Sequence, residues 1–315
     1  MDDYLHILES VIPIFLIMIL GAFVRAARWL NRQADDTLMK LAINVLFPCL
    51  IFEKILGNPA LNQPENVLLP PIIGFAATVL GFFVAWHASR FFGLVEPVQR
   101  RTFAVTVGIF NFGYIPIPLI MDFFGVQTLG VLFVFNLGVD VAIWTVGIGL
   151  LTGSNPLKKW KSLLSGPLIA IFAGLLTNLF VERPQVSPIF VTSMQMLGGS
   201  AIPVILLLIG ATMFDYFRPG VLRESKAVSI GACLLRLMIL PVCFLLTAKF
   251  IPMTDELRQV LAVQAAMATG VFPLVMTRHY QGDVPTAFRV IFTTSIISLL
   301  TIPLWLRFGL WWIAS

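Results

Sequence analysis

The sequence predicts an all-α integral membrane protein. Ten transmembrane helices form two inverted five-helix repeats, with one broken helix in each half and the two breaks crossing. Three observations carry this prediction. Hydrophobic residues make up 58% of the 315-residue chain and charged residues 12%, about half the charged share of an ordinary soluble domain, and mean hydropathy is +0.92. Two apolar segments, from Val107 to Leu119 and from Gln264 to Leu274, are interrupted by proline, glycine and polar residues where a membrane span should run unbroken. Prolines also recur at a fixed separation: Pro48 and Pro203 are 155 residues apart, as are Pro118 and Pro273, and Pro13 and Pro167 are 154 apart.

Charges fall in short clusters about one span apart, a span needing roughly 20 apolar residues. Ten spans fit between them. The first, 5–28, carries Pro13, and the second, 34–57, is kinked at Pro48 with Asn44 one turn before it. The third covers 67–92, and the fourth, 97–124, is broken between Asn111 and Pro118. The fifth, 126–152, carries Asn136, Asp140 and Trp144 at four-residue spacing, which places them on one helix face. Residues 153–161 open on Gly-Ser-Asn-Pro and continue with lysines, as a cytoplasmic connector would. The sixth span, 162–181, opens on Pro167, and the seventh, 187–213, carries Pro203. The eighth, 221–250, places Arg236 five residues before Pro241; the ninth, 255–280, is broken before Pro273; the tenth covers 284–312. The halves are therefore 1–152 and 162–315, and an odd number of spans in each turns the second upside down relative to the first. A rival register of 157 residues pairs Gly113 with Gly270, Pro116 with Pro273 and Gly125 with Gly282.

The net charge of +5 does not point to nucleic acid, because the basic residues sit beside span ends and form no aromatic-interleaved patch. With the N-terminus outside, inward loops hold fifteen basic residues, among them Arg25, Arg28, Arg32, Arg100, Arg101, Lys158, Lys159 and Lys161. Outward positions hold five: Lys54, Arg183, Lys249, Arg258 and Arg307. This bias predicts a cell (inner) membrane protein with both termini outside the cytoplasm. The acidic start lacks the basic region of a signal peptide, so the first span is expected to be retained.

Inside lipid, an interrupted helix leaves backbone N–H and C=O groups without partners, which is tolerated only where protein or a water-filled cavity receives them. Matched breaks in two halves point to the binding site of a secondary transporter. The half-helix after each break presents free N–H groups and about half a positive charge. Pro118 and Pro273 suit its first turn, where proline's missing donor costs nothing. Two such ends at one depth make an anion site without a lysine or arginine. Asn111 and Gln264, just before the breaks, can donate to a carboxylate, and Thr269 is a further candidate. The alternative is that the prolines only kink continuous helices. A charge at the bilayer centre costs roughly 2.5–3.5 kcal/mol, so Asp140 and Arg236 should face the interior. Asp140 is then a proton carrier, a substrate contact or structural glue, with Asn136 beside it. Arg236 either holds a substrate anion or satisfies broken backbone. The expected substrate-binding set is Asn111, Pro118, Gln264, Thr269, Pro273, Asp140, Asn136 and Arg236. His87, Glu53, Asp122 and His279 lie near span ends, where water reaches them. Cys49, Cys233 and Cys243 fall within spans and read as core residues, so neither a disulfide framework nor a metal site is expected, and no cofactor.

These residues carry a family resemblance. Asn111 to Leu119 resembles the Asn-(six residues)-Pro-Leu pattern in the fourth span of the auxin efflux carrier family, which includes bacterial carriers and plant PIN-type proteins. Gln264-Ala265-Ala266 followed by Gly270-Val271-Phe272-Pro273 and Tyr280 resembles that family's ninth span. The spacing from Arg236 to Pro241 is similar to its eighth span, and Phe47-Pro48 and Ile202-Pro203 to its second and seventh. Pro116, Ala268 and Thr269 depart from the common pattern, and the long cytoplasmic loop of many plant members is absent, as in a compact bacterial-type carrier. The resemblance covers essentially the whole chain. It implies a fold shared with bile-acid symporters and NhaA-type antiporters. It also implies a scaffold of spans 1, 2, 6 and 7, a transport part of spans 3–5 and 8–10, elevator-like alternating access, and a homodimer formed through the scaffold.

The function expected is a secondary transporter, an efflux carrier, for a small organic anion such as a carboxylate. A sodium-coupled organic-anion symporter of the bile-acid type is the alternative within transport, with Asn111, Thr269 and Asp140 as the evident oxygen ligands. A membrane-embedded enzyme is the alternative from another class. It lacks support, because no His/Glu metal pair, Ser–Lys dyad or Gly-x-Ser-x-Gly stands at span depth.

Overall fold

A computed structural model of the protein describes residues 2–153, 165–180, 186–217 and 225–314, with side chains from residue 7 onward. Of the expected connector only Gly153 is described; Lys158, Lys159, Lys161, Arg183, Arg218 and Arg223 lie outside the described residues. The regular elements among the described residues are all helices, and the one strand-like pairing there is an isolated antiparallel bridge between Phe110 and Thr269.

The chain begins with α1 (Asp2–Ala26). α2 (Arg32–Leu41) starts on Asn31, whose side chain accepts from the Ala34 N–H at 2.8 Å. It widens through a π-turn at Ala42–Leu46 and continues as α3 (Phe47–Ile55). Pro48 explains the widening: its ring displaces the carbonyl four residues back and supplies no donor. There Asn44 donates from Nδ2 to the Lys40 carbonyl at 2.9 Å. α4 (Glu65–Ala88) is followed by two pieces of one broken helix, α5 (Pro97–Gly108) and α6 (Pro116–Phe123). α7 (Gly125–Ala142) passes through a π-turn at Ile143–Gly147 into α8 (Ile148–Thr152).

The second half opens with α9 (Gly166–Phe180), followed by α10 (Pro188–Gly199) and α11 (Ala201–Tyr216). α12 (Lys226–Leu234) and α13 (Leu240–Phe250) are joined by a π-turn at Leu235–Ile239, again just before a proline, Pro241. α14 (Asp255–Ala265) and α15 (Phe272–His279) are the second broken pair, and α16 (Val284–Ala314) ends the described chain.

Among the described residues, six helices are long and apolar enough to cross a membrane: Ile7–Ala26, Glu65–Phe92, Gly125–Thr152, Pro188–Tyr216, Lys226–Phe250 and Val284–Ala314. Gly166–Phe180 is apolar but shorter. The broken pairs cannot reach that length, because each piece has 8 to 12 residues. Large apolar side chains such as Leu16, Phe23, Leu68, Phe83, Leu304 and Trp311 stand on the outer surface. A surface of that kind is at home in lipid and not in water.

The helices sort into two packing groups. α1 lies along α11, and α3 packs on α9 and α10. Separately, α4 packs on α5 and α7, α13 on α14, and α16 on α12 and α14. The groups touch where α3 and α9 meet α7 and where α1 meets α16. Close approach within each group is set by glycine. A Cβ on Gly138 would stand 1.7 Å from the Pro71 carbonyl oxygen, and one on Gly74 2.3 Å from that of Phe135, so α4 and α7 touch backbone to backbone. Gly21 and Gly210 do the same for α1 and α11. The stretch Gly125–Thr152 is the most enclosed, 72% buried in its most apolar window against 22% for Ile7–Ala26.

One expectation is corrected here. Glu53 is not near water: it is 3% exposed, paired with Lys54 at 3.0 Å, and receives a hydrogen bond from Gln195 Nε2 at 3.1 Å. Lying inside the packed α3–α10 contact, it needs these partners because an unpaired buried carboxylate is costly.

Candidate functional site

The two helix breaks meet. The Asn111 N–H donates to the Ala268 carbonyl at 2.8 Å, and the Gly270 N–H donates to the Ile109 carbonyl at 3.0 Å. Each break thus satisfies part of the backbone that the other leaves open, which is how non-helical chain survives at membrane depth. α6 and α15, the pieces that follow the breaks, are each eight residues long. Pro116 opens α6 with Pro118 in the same first turn, and Pro273 is the second residue of α15.

The two helix starts are not equivalent, which corrects the expectation of two free ends. Asn111 folds back on its own chain: Oδ1 accepts from the N–H groups of Tyr114 at 3.0 Å and Ile115 at 3.4 Å. Pro116 has no N–H, and that of Ile117 goes to the Gly113 carbonyl at 3.0 Å. The start of α6 is therefore capped from within. At α15 the N–H groups of Val271 and Phe272 have no acceptor among the described residues.

Beside the crossing lies a cavity of about 200 Å³. One wall is the breaks themselves, Phe110 to Tyr114 and Gly270 to Phe272. A second is α7 and its π-turn, through Phe133, Asn136, Asp140 and Trp144. The third comes from the other packing group: Ile43, Phe47 and Ile51, then Ser165, Pro167 and Ile171, and Ile205. Aromatic edges seal it, Phe47 against Tyr114 at 5.9 Å between ring centres and Trp144 against Phe272 at 5.8 Å. No lysine or arginine lines it among the described residues.

Of the expected residues, Asn111, Asn136 and Asp140 line this cavity. Asn111 is 7% exposed, and its Nδ2 makes no hydrogen bond among the described residues. Asn136 Nδ2 donates to the Phe112 carbonyl at 2.9 Å, which leaves its Oδ1 buried without a partner. The Asp140 side chain makes no hydrogen bond or ion pair among the described residues.

Gln264 sits behind the crossing. Its Nε2 donates to the same Phe112 carbonyl at 3.2 Å, so the donor expected to meet a substrate is engaged with broken backbone. Thr269 pairs with Phe110 through the bridge, and its Oγ1 is buried without a partner. Pro118 and Pro273 shape the helix starts and do not reach the cavity wall. Arg236, 1% exposed, also stands outside it. Its Nε donates to the Met267 carbonyl at 2.9 Å and its second guanidinium nitrogen to the Gln264 carbonyl at 3.3 Å. The guanidinium also lies over the rings of Phe110 at 5.1 Å and Phe244 at 5.6 Å. Of the two roles open to Arg236, the contacts show backbone support at the end of α14.

Tyr114, Phe272, Phe47 and Ser165 line the cavity outside the expected set. Tyr114 and Phe272 lay inside the two break motifs, and position within them was the available signal. Ile43 and Ile205 carried none, because a single apolar residue in a span looks like every other.

Comparison with known proteins gives the family. The chain matches the family described as membrane transport protein from residue 6 to residue 306. It is 26% identical over 304 residues to an uncharacterized transporter of Methanothermobacter thermautotrophicus, covering 94% of this chain and 96% of that one. It is 23% identical over 307 residues to an uncharacterized transporter of Methanocaldococcus jannaschii, covering 95% and 97%. With nearly its whole length matched and the paired breaks at its centre, the chain belongs to the membrane transport protein family, the transporters of auxin efflux carrier type.

Proposed function

We propose that the protein is a secondary transporter of a small organic anion, a carboxylate, working by elevator-type alternating access. The cavity at the crossing is its substrate site. The observation that carries this reading is the cavity's position, walled on two sides by the broken and central helices and on the third by the separate group of α3, α9 and α11. A site shared between two packing groups is exposed to one side or the other when one group slides against the other. In this reading α4–α8 and α12–α16 form the moving part, and α1–α3 with α9–α11 form the scaffold through which two copies pair. The carboxylate is held by three donors: Asn111 Nδ2 and the N–H groups of Val271 and Phe272.

Asn111→Ser tests the site. Serine keeps a side-chain oxygen able to cap α6 and removes the amide donor. A hydrogen bond to a charged group is worth about 1.5–3 kcal/mol. Carboxylate binding by the purified protein should therefore weaken about ten- to a hundredfold, with the melting temperature little changed. Normal binding and transport by this variant would move the site elsewhere.

A further inference from the structure

The breaks and α7 bring unlike polar groups to the cavity, with the Tyr114 and Ser165 hydroxyls and the Trp144 indole among them. The breaks supply donors, Asn111 Nδ2 with the Val271 and Phe272 N–H groups. α7 itself supplies two acceptors without a donor. Asn136 and Asp140 are one turn apart on the same helix face and both line the cavity. The Asn136 amide is held in one orientation because Nδ2 is fixed on the Phe112 carbonyl, so Oδ1 is left buried without a donor. Asp140 adds a carboxylate that no described residue pairs. Buried acceptors left unpartnered are costly, the more so for a charge. An occupant that brings donors to this wall and acceptors to the opposite one removes both penalties.

From this geometry we infer that the substrate is an amino-bearing carboxylate, a zwitterion whose ammonium group binds between Asp140, Asn136 Oδ1 and the surrounding rings while its carboxylate meets the crossing. This rests on reading the cavity as the transport site and adds to it the second charge of the substrate. An ammonium has three donors, matching the carboxylate and amide oxygens. Trp144, one turn beyond Asp140, and Phe272 beside it also line the cavity, and aromatic rings attract an organic cation. A sodium ion is a poorer match, since a hard cation wants about six oxygen ligands and this wall offers the oxygens of two side chains. About 200 Å³ is the space of roughly seven waters, room for a small apolar or aromatic amino acid.

The test compares matched probes on the purified full-length protein by thermal shift and by direct binding. Phenylalanine is set against 3-phenylpropanoate, and leucine against 4-methylpentanoate, each pair differing only in the amino group. In at least one pair the amino acid should bind about tenfold or more tightly than its deaminated partner. Asp140→Asn, close to isosteric, should abolish that preference and leave binding of the deaminated acid equal or stronger. If both deaminated acids bind as well as the amino acids, or no amino acid binds, the inference is wrong. Equal weakening of both members of a pair by Asp140→Asn overturns it too. So does binding of the deaminated acid that requires sodium in the wild type and loses that requirement in Asp140→Asn, since Asp140 then holds the ion. Asn111→Ser separates the two readings. If it leaves 3-phenylpropanoate binding intact, the carboxylate site is wrong whatever Asp140 does; if it weakens both members of a pair while the wild type shows no amino preference, the anion site stands and the zwitterion falls.

Discussion

Arg236 shows what a buried charge does when no carboxylate faces it. Its guanidinium forks to the carbonyls of Gln264 and Met267, both released by the break after α14. Two phenylalanine rings complete its surroundings. Replacing Arg236 with Met should orphan the Met267 carbonyl, at about 1–3 kcal/mol, while the Gln264 carbonyl keeps the Met267 N–H at 3.2 Å. Arg236→Lys should fall between, because a single ammonium reproduces the fork poorly. Unfolding in detergent measures this. A methionine variant as stable as the wild type would mean that water or other donors replace the guanidinium at no cost.

At the scale of elements, prolines and glycines divide the work. Prolines set where helices widen or break: π-turns precede Pro48 and Pro241, and both post-break helices carry proline in their first turn. The π-turn at Ile143–Gly147 has no proline, and it presents Trp144 to the cavity. Glycines set how closely helices pack. Gly138→Ala would push a methyl into the Pro71 carbonyl and force α4 and α7 apart. Overpacking of this kind costs about 1–3 kcal/mol, occasionally more. Gly199→Ala, with nothing within 4 Å of the added Cβ, is the control and should be close to neutral. The pair is read by melting temperature. Equal effects at the two positions would show that the α4–α7 contact is not under steric limit.

For the whole molecule, the basic residues predict orientation. Arg25, Arg32, Asp35 and Asp215 meet at one end of α1, α2 and α11: Arg25 pairs with Asp35, and Arg32 Nε with Asp215 at 3.2 Å. On the positive-inside rule all four are expected to face the cytoplasm. Reporter fusions after Lys161 should therefore report cytoplasm, and fusions after Glu182 the outside. The opposite pattern would overturn the orientation read from the basic residues.

Much of this was legible in the residues because its causes are local. Apolar runs and their charged borders give membrane helices, since water and lipid act on each segment separately. Proline loses its donor wherever it stands, so the breaks between Asn111 and Pro118 and between Gln264 and Pro273 were visible without a fold. The identities of Asn136 and Asp140 as neighbours followed from helix periodicity. Other features depended on partners more than a hundred residues away. That the Asn111 N–H meets the Ala268 carbonyl, and that Gln264 turns its amide to the Phe112 carbonyl and away from the cavity, is decided by how two distant breaks dock. Asn111 capping its own helix, and so leaving α15 as the uncapped start, follows from local geometry that periodicity does not encode. Ile43, Phe47 and Ile205 become cavity walls only because one packing group is laid against the other. A hydrophobic pattern specifies that a face is buried. Which face it is buried against is settled by close packing in three dimensions, and there the site's acceptors, donors and rings are brought together.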